Sequence, residues 1–166
     1  INANLLAFQR TTNTFSPRMK IKEFELRTIQ LPLVRPFRTS FGTQTSRELV
    51  VVKVTNENGT VGWAENVAMS EPLYSPEYVA ASLDLTKRFL IPKLFSVEEV
   101  QAEDVADLLS PYLGAPMTKA ALETAILDAQ LRDENRSLAN YLGAAKDKVE
   151  CGVSVGIASS IDKLLE

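Results

Sequence analysis

The sequence predicts an α+β fold in which a three-stranded antiparallel meander precedes a group of helices. Hydrophobic and polar residues alternate over 20–33, and a run of β-branched residues covers 48–55. The dipeptide Asn58-Gly59 then favours a tight hairpin turn that returns the chain as a third strand over 60–67. The second half of the chain shows apolar residues at helical spacing instead. Strands followed by helices are typical of the α+β class.

A first candidate functional segment lies between the first two strands. Residues 35–47 are rich in Pro, Gly, Ser and Thr, which predicts a loop after Pro32 and Pro36 have ended the first strand. The segment also carries two large aromatic residues, Phe37 and Phe41. Large apolar side chains in a loop need a surface to cover. They either fill the domain's own core or face a ligand or a second domain.

A second segment of the same kind follows the third strand. Residues 68–76 place Met69, Leu73 and Tyr74 between polar residues and prolines. One interpretation is local packing. The other is a second ligand-facing loop, because methionine and tyrosine make adaptable apolar contacts.

Three main helices are predicted after these loops. The first covers 76–90 and is expected to end before Pro92. The second is expected to open at a capping box formed by Ser96 and Glu99. The third covers 116–133 and is rich in alanine, which lets another backbone approach closely. We therefore expect this third helix to be buried on more than one side.

Few residues indicate catalytic chemistry. The sequence contains no glycine-rich phosphate loop, no C-x-x-C and no H-E-x-x-H motif. Glu123 and Asp128 lie about 140° apart around the third helix, so they cannot share one metal ion and are interpreted as caps or interface partners. Lys53, Tyr74 and Lys119 are acid–base candidates by residue type alone, and each also fits a surface or packing role.

The composition argues against several classes of function. The 18 basic and 21 acidic residues are interspersed, without the basic run that nucleic-acid binding favours. No apolar stretch reaches the ~20 residues of a membrane-spanning helix. The single cysteine, Cys151, and the lack of a signal-peptide pattern favour a reducing cytoplasm. The absence of histidine removes imidazole chemistry and the Ser-His-Asp arrangement.

The order of these parts resembles the enolase superfamily, whose α+β capping domain covers a modified (β/α)8 barrel. Residues 119–128, KAALETAILD, are similar to the signature helix of mandelate racemase and muconate cycloisomerase, although 129–132 lack the usual Gly-Lys. Residues 32–44 are similar to the first loop of the o-succinylbenzoate synthase / N-acylamino acid racemase family. Residues 68–75 are similar to its second loop, and 149–157 to its first barrel strand.

The resemblance implies that the chain is an N-terminal fragment of such an enzyme. Residues 1–18, polar and rich in Asn and Thr, form a disordered or artefactual leader. Residues 19–146 form the capping domain, with the signature helix at 116–133. Residues 147–166 are the first strand and the start of the first helix of a truncated barrel.

The resemblance also implies a reaction: dehydration through an enediolate to o-succinylbenzoate, for menaquinone biosynthesis. The family's divalent metal, usually Mg²⁺, its carboxylate ligands and its catalytic lysines are expected beyond residue 166. The fragment itself is therefore expected to hold no catalytic residue and no metal, and to be inactive. The positions carried over are those that bind a small carboxylate substrate: Phe37, Phe41, Met69, Tyr74 and Ser154. A homo-oligomer of the full-length protein is left open.

Two alternatives stay open at this point. One is N-acylamino acid racemase activity, since members of the family carry both activities and the same loops would serve either substrate. The other is a non-enzymatic, cap-like module that binds a partner through its loops. The helix that begins near Ser160 would then leave Ile161 and Leu164 without a core, which favours the enzyme fragment.

Overall fold

The computed structural model describes residues 18–40, 42–146, 148–153, 157–158 and 160–165. Within them, a three-stranded antiparallel sheet, whose strands lie side by side in chain order, is followed by helices. This arrangement confirms the α+β class and the meander predicted from the sequence.

The central strand of the sheet pairs with both of its neighbours. Lys53 in this strand lies opposite Glu25 on one side and Trp63 on the other. The predicted turn is present: Gly59 has a φ of 86°, which glycine adopts without a Cβ clash. The strands are β1 (Ile21–Thr39), β2 (Gly42–Asn56) and β3 (Val61–Asn66).

The prediction of a loop over 35–47 is wrong, because β1 continues through Pro32 and Pro36 and pairs again with β2. β1 is an edge strand, where a proline is tolerated because one side of the backbone has no ladder to maintain. The register shifts between Pro32 and Phe37, so the residues between them bulge out of the ladder. The result is a long β1–β2 hairpin whose far end extends beyond β3.

The helices agree with the prediction best where alanine dominates. α4 (Pro116–Asp133) covers the range predicted for the signature helix. α1 (Val79–Leu85), a π-helical turn (Thr86–Leu90) and α2 (Ile91–Leu94) follow one another directly, so Pro92 does not end the helix as predicted. Pro92 lies in the first turn of α2, where its missing N–H is tolerated. The elements are α1 (Val79–Leu85), the π-helical turn (Thr86–Leu90), α2 (Ile91–Leu94), α3 (Ala102–Leu108), α4 (Pro116–Asp133), α5 (Leu138–Tyr141) and α6 (Ile161–Leu165).

The helix predicted from Ser96 begins later than expected, at Ala102. Tertiary pairing explains the delay, because Val100 and Met19 exchange two backbone hydrogen bonds of 2.9 Å and the chain around Val100 is held extended. The Ser96 hydroxyl donates instead to the carbonyl of Lys93 at 2.7 Å and closes the end of α2.

The core forms where α4 packs on the sheet. α4 also contacts α3, so it is buried on more than one side, as predicted. The closest approach is at Gly62 of β3, where an added Cβ would lie 2.1 Å from the carbonyl oxygen of Ala125 and 2.4 Å from the nitrogen of Ala129. Largest among the fully buried core side chains are Val54, Leu90, Leu94, Val105, Leu109, Leu122 and Ile126.

Asp128 connects α4 to β3 by a hydrogen bond. Its carboxylate accepts from the backbone N–H of Trp63 at 2.9 Å and from Nε of Arg132 at 2.9 Å. This contact confirms that Asp128 is an interface partner, one of the two roles predicted for it. Gln130, two residues further along α4, contacts α3 in a similar way: its Oε1 accepts from the N–H of Ala102 at 3.1 Å.

Residues 148–153, the described beginning of the predicted barrel strand, form no strand, and Val149 and Val153 are exposed. A parallel strand without a neighbouring strand has no partner for its N–H and C=O groups. The barrel strand of the whole protein therefore stays a prediction. α6 does form within the predicted final helix. Residues 1–17 of the predicted leader lie outside the described residues.

Tyr141 of α5 is expected to ionise late in a pH titration. Burial, together with the hydrogen bond that its hydroxyl donates to Glu103 at 2.6 Å, raises the pKa of Tyr141 to about 12. Because the folded pKa lies above the unfolded value, this contribution to stability is present below pH ~10 and is lost as the pH approaches 12. Phenolate absorbance should therefore show a late phase that Tyr141→Phe removes. An unchanged late phase in that variant would contradict the assignment.

Candidate functional site

A cavity of about 400 Å³ opens where the far end of the β1–β2 hairpin meets the segment after β3 and the start of α4. It is bordered by three parts of the chain that are distant in sequence. Its described lining combines apolar residues with neutral polar residues and one arginine: Phe37, Thr39, Gln44, Arg47, Val67, Met69, Tyr74, Ser75 and Met117. A concave, mainly apolar site with a few polar groups is typical of small-molecule binding.

Three of the five predicted site residues meet in this cavity. Phe37 comes from β1, and Met69 and Tyr74 come from the predicted second loop. Phe37 and Tyr74 are 51% and 74% exposed, so neither fills the domain's own core. Phe41 and Ser154 lie outside the described residues. That the three residues contact a substrate stays a prediction, but they are placed together as that prediction requires.

Arg47 joins the two sides of the cavity. Its Nη2 donates to the carbonyl oxygen of Val67 at 3.0 Å, which connects β2 to the segment after β3. Among the described lining residues it is also the only one with an ionised side chain at neutral pH. Sequence reasoning passed over Arg47 because it assigned this stretch to a loop. Residues 42–47 are all glycine or polar, so no alternation of apolar and polar residues signalled the strand.

A buried carboxylate holds one of the elements that border the cavity, the start of α4. Glu77 is only 8% exposed, and its side chain accepts hydrogen bonds from the N–H of Met117 at 2.8 Å and of Thr118 at 2.9 Å. These are free donors of the first turn of α4, and a negative charge there is also favoured by the helix dipole. Because Met117 is a lining residue, the same contact holds the wall of the cavity in place.

The hydroxyl of Thr118 extends this network to two further elements. It lies 2.7 Å from Glu77 Oε2, 2.9 Å from the hydroxyl of Ser82 in α1, and 3.1 Å from Nδ2 of Asn66 in β3. Asn66 in turn accepts from the N–H of Ala68 at 2.9 Å. Satisfied polar groups of this kind fix a single arrangement in a buried site. The network therefore holds α1, α4 and the segment after β3 at fixed relative positions.

The acid–base candidates do not converge on the cavity. Lys53 lies over the ring of Trp63, with its Nζ 5.8 Å from the ring centre. Lys119 donates to the backbone carbonyl of Tyr112. Of the three candidates, only Tyr74 is a lining residue. The described arrangement can bind and orient a ligand, but it does not assemble a proton-transfer pair.

The metal implied by the family resemblance has no matching ligand set in the described part of the chain. Among those residues, no three Cys, Asp or Glu side chains are grouped so that they could hold a metal ion. In the same described residues, no helix combines the length and the apolar character that crossing a membrane requires.

Comparison with known proteins identifies the family. The model of the mandelate racemase / muconate lactonizing enzyme N-terminal domain matches residues 23–143. The chain belongs to this family. The match covers the sheet, α1 to α5 and every described residue of the cavity lining.

Two individual relatives are a racemase and a synthase. The chain is 48% identical over 148 residues to an N-succinylamino acid racemase from an Amycolatopsis species, covering 89% of this chain and 40% of the relative. It is 38% identical over 141 residues to an o-succinylbenzoate synthase from Geobacillus kaustophilus, covering 85% of this chain and 38% of the relative. These matches confirm the resemblance to the synthase and racemase family.

A solved structure shows the same fold. A member of the enolase superfamily from Listeria innocua superposes with a TM-score of 0.81 at 34% identity, over 89% of this chain and 40% of that one. The domain is thus an enolase-superfamily N-terminal domain. The chain spans about 40% of the length of these relatives.

Proposed function

We propose that this chain supplies the capping domain of a metal-dependent o-succinylbenzoate synthase, and that the cavity is the capping-domain side of the substrate pocket. The observation that supports this most directly is the meeting of Phe37, Met69 and Tyr74 around one cavity. The similarity to named synthases supports the choice of reaction. The whole protein would act in the cytoplasm, in menaquinone biosynthesis.

The lining suits a short chain that carries a carboxylate. Phe37, Met69 and Met117 present apolar surface to methylene groups, while the amide of Gln44 can donate hydrogen bonds to oxygen atoms. The positive charge of Arg47 at the same site favours an anionic ligand. The task of these residues is to bind and orient the substrate and to exclude water from it.

The catalytic groups are proposed to lie in the remainder of the whole protein. The described residues offer no ligand set for a metal, so Mg²⁺ and the catalytic lysines are assigned to the barrel that such a capping domain covers. The relatives are more than twice as long as the matched segment, which leaves room for a barrel. The substrate is a small carboxylate, and assembly into a homo-oligomer is compatible with this assignment.

A racemase is the second candidate, and one observation favours it. Identity to the N-succinylamino acid racemase is 48%, against 38% for the synthase. The names of both enzymes contain a succinyl group, so one pocket would accommodate the shared part of the two substrates. The two reactions would then differ in how residues of the barrel act on the part of the substrate that is not shared.

An activity assay tests this proposal. We expect the 166-residue chain alone to turn over neither the synthase substrate nor an N-succinylamino acid, with or without Mg²⁺, because it lacks a metal ligand set in its described residues. The whole protein is expected to turn over at least one of them, to lose activity with a chelator and to regain it with Mg²⁺. Turnover by the chain alone would contradict the proposal, and inactivity of the whole protein on both substrates would favour a non-enzymatic binding module.

A further inference from the structure

We propose that Met117 of α4 is a specificity-determining residue, which sets how long an acyl chain the cavity accepts. This inference rests on the proposed function, because it assumes that the cavity receives the acyl or succinyl part of a substrate. Met117 stands apart from the predicted loop positions: it belongs to a helix, and it lines the cavity together with residues of the hairpin and of the segment after β3.

The backbone of Met117 is held in place by a turn and by a hydrogen bond. The chain turns sharply into α4 through Gly114 and Ala115, whose φ values are 72° and 53°. The N–H of Met117 is then held by the buried carboxylate of Glu77 at 2.8 Å. Phe37 and Tyr74, in contrast, are more than half exposed. A residue on a rigid element defines a pocket dimension more sharply than one on an exposed segment.

Glu77 also connects Met117 to the segment after β3. Its backbone N–H donates to the hydroxyl of Ser75 at 3.1 Å, and Ser75 is itself a lining residue. One buried residue thus sets the distance between two walls of the cavity. Changing the size of Met117 should therefore change the space available to a ligand, because the wall behind it cannot easily move away.

The chemistry of methionine fits this role. Its side chain is long, unbranched and apolar, so it fills space at the cavity wall that a shorter side chain would leave open to an acyl chain. A methylene group too many or too few in an apolar pocket changes specificity by about tenfold or more. Phenylalanine at this position should shorten the accepted chain, and alanine should lengthen it.

The test uses the whole protein and measures binding by calorimetry, so that it does not depend on turnover. The ligands are the N-acetyl, N-succinyl and N-adipoyl derivatives of one amino acid. Met117→Phe is expected to weaken N-adipoyl binding relative to N-acetyl by about tenfold, and Met117→Ala to shift the ratio the opposite way. Met117→Leu, close in volume, and Leu113→Phe, on an exposed residue just before α4, should leave the ratio within about twofold.

Each outcome decides one question. An unchanged ratio in folded Met117→Ala protein overturns the role of Met117, even if Met117→Phe fails to fold. A shifted ratio in a protein that turns over neither substrate supports Met117 as a specificity residue and overturns the proposed reaction. A shift of equal size in Leu113→Phe would also overturn the role of Met117, because that residue is not part of the cavity lining.

Discussion

Replacing Gly62 by alanine is expected to destabilise the domain by about 3 kcal/mol, the upper end of the range for overpacking a core. The new Cβ would lie 2.1 Å from the carbonyl oxygen of Ala125 and 2.4 Å from the nitrogen of Ala129. Both neighbours are backbone atoms in the middle of α4, so neither can swing aside as a side chain would. Relief requires β3 and α4 to separate, which would open the core between them.

Urea denaturation followed by circular dichroism measures the effect of Gly62→Ala on the free energy of unfolding. Gly152→Ala is the matched control, because a Cβ there would meet nothing within 4 Å. The control should change the free energy of unfolding by no more than about 0.5 kcal/mol. Equal unfolding midpoints for both variants would show that β3 and α4 do not approach as closely as described.

Glu77→Gln is the second change for which we expect a large effect, a loss of about 3 kcal/mol. The carboxylate accepts from two backbone N–H groups of α4 and from the hydroxyl of Thr118. An amide of the same shape keeps one acceptor oxygen but turns an NH₂ group toward donors. At least one buried donor would then be left without a partner, and the favourable charge at the helix start would be gone.

The same unfolding measurement checks this expectation, with Glu65→Gln as the control. Glu65 is an exposed glutamate in β3, so removing its charge should change the stability by about 0.5 kcal/mol or less. Similar unfolding curves for Glu77→Gln and the wild type would show that the network under the cavity contributes little to stability. That result would also weaken the argument that Glu77 fixes the position of Met117.

The fold could be predicted from the sequence wherever local signals and tertiary packing agree. Asn58-Gly59 can form a tight turn on its own, and the alanine-rich range 116–133 forms α4 with the expected bounds. The prediction failed where a distant contact decides the backbone. Pro36 looks like a strand terminator until β1 is known to be an edge strand, and Val100 looks helical until its pairing with Met19 is known.

The candidate site was predicted only in part, for a related reason. Phe37, Met69 and Tyr74 were found because large apolar residues in polar segments stand out in a sequence. Arg47 and Met117 do not stand out, since an arginine in a strand and a methionine in a helix are ordinary. Their importance comes from the folded arrangement, in which β2 and the start of α4 border the same cavity.

The hydrogen bond from Trp63 to Asp128 has a consequence for association between molecules. A three-stranded sheet has two open edges, and an edge with unpaired N–H groups is a template on which another chain can add a strand. On β3, the carboxylate of Asp128 already occupies the N–H of Trp63. On β1, Pro32 and Pro36 have no N–H to offer. The contact that ties α4 to β3, together with the two prolines of β1, thus makes both edges poor starting points for aggregation.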